Sequence, residues 1–316
     1  MASVSAFWQR RSLVPAHLLL LTGFVVFPFM APSFMTVANM LNILQQSSIV
    51  LLLATGMTCV MITGGIDLSV GSAAALFSLV MAAMIQAHVD PVLGGLVTLA
   101  IAAIIGAING SLVIHLGVPP LIVTLAALGI MRGLALLVWH GRSVPVDAQW
   151  APRSPTAFPG AQIIWIGTLL LILAAHAALR FTVRGRHLYA IGDNPSAARR
   201  FVPQYRATHV SAYAISQVLA AIAGMILVAR LGAGSPLYGV MYEMDAITAA
   251  MLGGVSLSGG RGSIIGALVG AFAIATLRNG LALSNADPNL QYVLTGSLLL
   301  MAAFLANADQ PGGRGR

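Results

Sequence analysis

Lysine is absent from the 316 residues: all sixteen basic side chains are arginine. A Walker A loop ends in Gly-Lys-Ser/Thr, with the lysine reaching the nucleotide phosphates, so this chain holds none. If ATP drives its work, hydrolysis takes place on another polypeptide. Charge of either sign is scarce, at 8% of residues against roughly 25% in a soluble domain, which excludes a water-soluble fold. Cysteine occurs once, as Cys59 inside an apolar run, which excludes a disulfide framework and a cysteine metal site. The seven histidines show no ligand spacing, so neither a metal nor another cofactor is expected. A net charge of +8 would suit nucleic acid, but no soluble domain is there to present a basic face. It reads instead as loop charge that sets membrane topology.

What remains is apolar. Hydrophobic residues make up 58% of the chain, in runs that approach the roughly 20 residues needed to cross about 30 Å of hydrocarbon. The expectation is an all-α, polytopic integral membrane protein, a single transmembrane domain over 1–316 in a lipid bilayer. Apolar runs between Gly, Pro and charge clusters place about ten spans near 13–30, 46–64, 69–88, 92–114, 119–138, 161–179, 208–230, 244–257, 263–283 and 289–307. Arg10 and Arg11 before the first run resemble the start of a secretory signal, but the run continues to Pro32 without a small-residue cleavage site and reads as an uncleaved first helix.

Arginine orients these spans. With the N-terminus inside, eleven of the sixteen arginines fall in cytoplasmic segments: Arg10, Arg11, Arg180, Arg184, Arg186, Arg199, Arg200, Arg206, Arg261, Arg314 and Arg316. The positive-inside rule then predicts both termini in the cytoplasm. The external loop 139–160, with four prolines, reads as an irregular periplasmic cap or docking surface. The internal loop 180–209 is polar and arginine-rich. A weak internal repeat relates Gly64-Gly65-Ile66-Asp67-Leu68-Ser69-Val70-Gly71 to Gly253-Gly254-Val255-Ser256-Leu257-Ser258-Gly259-Gly260. Both copies join one span to the next on the cytoplasmic side, as a parallel repeat would.

Three segments carry the chemistry. In Thr63–Gly71 the adjacent glycines favour unwinding, and a carboxylate near hydrocarbon must be solvated or paired, which makes a broken, Gly-rich helix end. Asp67 either caps the helix opening near Ser69 or lines a pathway wall, and the two roles are compatible. Glu243 and Asp245 sit in the first turn of a helix at the external mouth, where they suit its dipole or bind hydroxyls. No nucleophile or cleft accompanies them, so catalytic residues are not expected. In the 180–209 loop, Gly192-Asp193-Asn194-Pro195-Ser196 runs into Ala197-Ala198-Arg199-Arg200, with Asp193 or Asn194 starting a helix and proline at its first position. The loop either receives a partner or simply holds topology beside anionic lipid. Asn109, Gln217, Arg132 and Arg278 within spans offer hydrogen bonds to a polar solute or tether helices to one another.

These segments, together with Thr55-Gly56-Met57-Thr58, Thr124-Leu125, Arg132-Gly133, Tyr189-Ala190-Ile191-Gly192-Asp193-Asn194 and Leu252-Gly253-Gly254, occur in an order that resembles the ribose-type ABC transporter permeases, the family of monosaccharide and autoinducer-2 importer membrane subunits. The resemblance covers about residues 40–305. It implies an inner-membrane permease for a small sugar-like solute, paired with a second copy or a sister permease, cytoplasmic ATPase subunits and a periplasmic solute-binding protein. It also implies a coupling helix at Gly192–Arg200 and favours a pathway-wall role for Asp67; with the polar residues read above, the candidates for the translocation pathway are Asp67, Ser69, Asn109, Thr124, Glu243 and Asp245. Met244, where the family often has Leu, and Phe201-Val202-Pro203-Gln204, where a Gly-containing turn is frequent, depart from the pattern. A branched-chain amino-acid permease and an ion-coupled secondary transporter are the competing readings.

Overall fold

A computed structural model describes residues 14–147 and 160–308. Arg10, Arg11, Arg153, Arg314, Arg316 and most of the proline-rich external loop lie outside those residues. The described residues form twelve helices: α1 (Val14–Met30), α2 (Val37–Ile62), α3 (Val70–Gln86), α4 (Pro91–Ile114), α5 (Pro120–Val138), α6 (Gly160–Phe181), α7 (Val183–Asp193), α8 (Pro195–Phe201), α9 (Tyr205–Leu231), α10 (Tyr242–Leu252), α11 (Ile264–Leu283) and α12 (Pro288–Ala308). Two-residue strands β1 (Val144–Pro145) and β2 (Ala233–Gly234) pair antiparallel, joining the segments that follow α5 and α9.

Seven helices, α2, α4, α5, α6, α9, α11 and α12, are long and apolar enough to cross a membrane. The other three expected spans are helical but short: α1 and α3 have 17 residues and α10 has 11. At 1.5 Å per residue α10 covers only about 16 Å, roughly half the hydrocarbon. Its expected end at 257 is therefore corrected to Leu252, where Gly253 and Gly254 break it. The second span is corrected in the other direction. It starts at Val37, not 46, because Asn39, Asn42, Gln45 and Gln46 interrupt the apolar run without ending the helix. Asn39 exchanges side-chain amide hydrogen bonds with Asn279 of α11, both at 2.9 Å, so polar residues that looked like a boundary are satisfied inside.

The outer helices are covered on one side only. Phe29 on α1 is 88% exposed and Phe304 on α12 74%, and Leu96, Ile104, Ile130, Leu137 and Leu170 are exposed on α4, α5 and α6. Apolar surface on this scale needs hydrocarbon around it. The interior, by contrast, is built on α2, which is almost wholly buried, with α9 and α11 beside it.

Lipid tails are as apolar as leucine, so helices here associate by close packing and hydrogen bonds. Small residues make that possible. Gly106 and Gly110, spaced as G-x-x-x-G on α4, lie against the α9 backbone at Ala214 and Val210, and Gly56 of α2 meets α9 at Ser216. Gly106→Val is expected to push α4 off α9 and destabilise the protein by about 1–3 kcal/mol or more. Gly129→Ala on α5, where a new Cβ meets nothing within 4 Å, should be neutral or slightly stabilising. Thermal unfolding of the two purified variants checks the contrast.

Candidate functional site

The Gly-rich break after α2 is closed by backbone geometry. Gly65 N–H donates to Val60 O at 3.2 Å and Gly64 N–H to Met61 O at 2.9 Å, with Gly64 at φ +84°. This is a Schellman ending, and its left-handed residue is the one that glycine accommodates without strain. The second break copies it: Val255 N–H donates to Ala250 O at 3.0 Å, Gly254 N–H to Met251 O at 2.9 Å, and Gly254 has φ +82°. The same type of ending also closes α3 and α11, at His88 and Asn285, so it follows from helix termination as such.

Between Gly65 and α3 stands Asp67, which is fully buried. Its Oδ1 accepts from the Ser69 backbone N–H at 3.1 Å and from the Ser69 hydroxyl. Its Oδ2 accepts from the Ser216 hydroxyl at 2.8 Å and from Gln217 Nε2 at 3.0 Å, and Gln217 Nε2 also reaches Ser69 Oγ at 2.8 Å. Asp67 therefore forms an Asx-type turn locally and a bracket to α9 at a distance. Four hydrogen bonds to one carboxylate supply what solvent would otherwise supply. Thr124 on α5 completes the frame, donating to Ile66 O at 3.1 Å and sharing that proton with Pro120 O at 2.9 Å. Thus Asp67, Ser69 and Thr124 come together, with Gln217 as a tether. Ser216 had no signal in the sequence, because it lies 149 residues from Asp67.

Asn109 lies apart from this cluster, buried on α4 with its Nδ2 unpartnered. Glu243 and Asp245 part company as well. Residues two apart on a helix do not share a face. The Glu243 carboxylate occupies the space a side chain at Gly71 would fill, whereas Asp245 is fully buried and pairs with Arg278 Nη2 at 2.6 Å. Of the two, Asp245 is therefore paired inside the protein. Arg132 on α5 donates to Tyr238 O at 2.9 Å and to Pro236 O, holding the loop that precedes α10.

The 180–209 loop is almost entirely helix. Asn194 caps α8: its Oδ1 accepts from the Ala197 N–H at 3.0 Å and the Ser196 hydroxyl at 2.8 Å, and Pro195 opens the helix. Asp193, Asn194, Pro195, Ser196, Arg199 and Arg200 are exposed, and Phe201 is 81% exposed. Just before them, Gly192 is buried against Ile62 O and Gly260 N, while Gly259 lies on Gly192 and Gly64. Gly260 N–H donates to Ile62 O at 2.8 Å, and the Tyr189 hydroxyl to Gly262 O at 2.8 Å. Burial pushes the Tyr189 hydroxyl up to about 12, which keeps it a donor at neutral pH. The root of α8, the end of α2 and the loop after α10 therefore share one glycine junction.

Residues 39–303 match the family described as branched-chain amino acid transport system / permease component. The chain belongs to this permease family. The permease is 39% identical over 284 residues to the ribose import permease protein RbsC of Bacillus subtilis (strain 168), covering 89% of this chain and 88% of that one. To the RbsC of Escherichia coli (strain K12) it is 35% identical over 312 residues, 96% and 94% of the two chains. To the xylose transport system permease protein XylH of Escherichia coli (strain K12) it is 35% identical over 347 residues, 88% and 87%. No solved structure matches the permease. Its apolar helices and its family make it a multi-pass membrane protein of the transport class, not an enzyme.

Proposed function

We propose that the permease is one half of the translocation pathway of an ABC importer for a monosaccharide, in a bacterial inner membrane, and that α8 is where the ATPase pushes. The sugar reading rests on the ribose and xylose permeases among its relatives, which also weigh against a branched-chain amino acid. Ten segments, seven of full length and three short, with both termini in the cytoplasm, fit the arginine distribution. A second copy or a sister permease completes the pathway, a periplasmic solute-binding protein delivers the solute and cytoplasmic subunits hydrolyse ATP.

The observation that carries the mechanism is the junction beneath α8. An exposed seven-residue helix with Arg199, Arg200 and Phe201 at its end stands on Gly192, and Gly192 touches the end of α2 and, at Gly259 and Gly260, the loop after α10. A displacement of α8 therefore reaches the end of α2 and that loop directly. The equal placement of the two breaks supports a parallel repeat whose copies respond together. Asp67, Ser69 and Thr124 act in this reading as the bracket that keeps the first break attached to α5 and α9, while Asn109, Glu243 and Asp245 remain the candidates closer to the solute's path. A push couples to transport only if it stabilises one facing state over the other.

Asn194→Ala removes the cap of α8, at a cost of about 1 kcal/mol, and Pro195→Gly loosens its first turn. Both variants are expected to insert and fold normally, yet lose most of the solute-stimulated ATPase activity of the reconstituted importer together with uptake. Normal stimulation in both would remove α8 as the coupling helix. Reconstituting the permease alone with an ion gradient tests the ion-coupled rival: gradient-driven uptake without ATP would replace the importer reading.

A further inference from the structure

Two arginines that the coupling reading does not use face one cavity. It has a volume of about 160 Å3 and lies between α2, α9, α10 and α11, lined by Gln46, Arg230, Tyr242 and Arg278 with Ile49 and Val50. Arg278 pairs with Asp245 at 2.6 Å, and its guanidinium stands 5.4 Å from the centre of the Tyr242 ring. Among the described residues Arg230 pairs with no carboxylate: its Nη2 donates to Asn42 Oδ1 at 3.0 Å, and its Nε is buried without a partner, as is that of Arg278. Each guanidinium offers five N–H donors. The walls thus hold two positive charges against one negative and far more donors than acceptors. Arg230 stands half-buried in the last turn of α9, and a charge held partly out of water without a counterion is costly, as at the charged groups that mark a solute's path through a membrane protein. The volume is close to the roughly 150 Å3 that houses a benzene ring in an engineered protein cavity, so it takes one small ring whose substituents reach the side chains of the wall.

We propose that this cavity is a transit site for a monosaccharide carrying a carboxylate, a hexuronate in its ring form. The inference rests on the importer reading and narrows its solute class. A carboxylate matches the planar fork of Arg230 and cancels the excess charge, the ring hydroxyls meet Gln46 and Tyr242, and Ile49 and Val50 meet the ring's apolar side. A neutral sugar supplies the hydroxyls but leaves the charge unbalanced.

The test uses the permease assembled with its ATPase subunits in lipid nanodiscs, titrated to millimolar concentrations with D-galacturonate or D-galactose, which share a ring and differ in the carboxylate. Galacturonate is expected to raise the thermal midpoint, and galactose and ionic-strength-matched sodium chloride to raise it far less. Arg230→Gln spares the Arg278–Asp245 pair and can still bond Asn42. It should weaken the galacturonate response about tenfold or more, the loss of one charged hydrogen bond. No response to galacturonate, equal responses to acid and neutral sugar, an equal response to salt, or an unchanged response in Arg230→Gln each overturns the proposal. If the assembly fails on these counts yet still takes up a neutral sugar with ATP, the acidic assignment falls and the importer reading stands. A permease that holds no ATPase removes the importer reading itself.

Discussion

Asp67→Ala is expected to destabilise the folded permease by about 3 kcal/mol or more, since each hydrogen bond to a buried charged group is worth roughly 1.5–3 kcal/mol and its loss strands the donors. Those donors are the Ser69 N–H and hydroxyl, the Ser216 hydroxyl and Gln217 Nε2. Ser69, Ser216 and Gln217 are all fully buried, so thermal unfolding in detergent should shift down by several degrees and the yield of monodisperse protein should fall. Asp67→Asn keeps an acceptor oxygen and should be damaged less. The pair of variants separates two roles. A bracket tolerates Asn better than Ala in both stability and uptake. An ion-binding carboxylate would instead lose uptake equally in both, with the fold intact in Asn. An Asp67→Ala protein as stable as the parent would refute the bracket.

Gly192→Val is expected to have the largest effect on transport. A Cβ at this position runs into Ile62 O and Gly260 N, which are backbone atoms and cannot rotate aside. The same Ile62 carbonyl accepts the Gly260 N–H at 2.8 Å, so the intrusion breaks a hydrogen bond that ties the loop after α10 to the end of α2. Overpacking of this kind costs about 1–3 kcal/mol, less than the helices gain from burial, so the protein should still insert. ATP-driven uptake should fall tenfold or more, with Gly192→Ala between the two. The measurement is uptake against ATPase rate in the same proteoliposomes: a valine variant with normal uptake would show that force does not pass through the junction.

The start of α8 is a case where local sequence sufficed. Asn194 caps and Pro195 opens the helix because a side-chain amide three residues from a free backbone N–H, and a ring with fixed φ, act without help from the rest of the fold. The Gly-Gly breaks were legible for the same reason. By contrast, the start of α2 was misplaced by nine residues, from 46 to Val37. Asn39 and Asn42 look like the end of a span until Asn279, 240 positions away, and Arg230, 188 positions away, supply their partners.

The carboxylates divide along the same line. Asp67 was identifiable as a residue that must be paired, since a charge beside hydrocarbon has to be compensated. Ser216 and Gln217 as the compensating groups were not, because they arrive from α9 only when Gly56, Gly106 and Gly110 let that helix approach. Asp245 looked like a surface residue in a first turn and is instead buried against Arg278.

The sequence by itself determined that this is a helical membrane protein without a Walker A loop, since apolar content, scarcity of charge and absence of lysine act on every possible fold alike. It also determined the local helix starts and breaks, which depend on backbone preferences within a few residues. Only the tertiary structure decided which polar groups satisfy one another and that the end of α2, the loop after α10 and the root of α8 meet at one junction. Those outcomes depend on helices far apart in the chain coming within atomic contact, and hydropathy and local propensity carry no record of that distance.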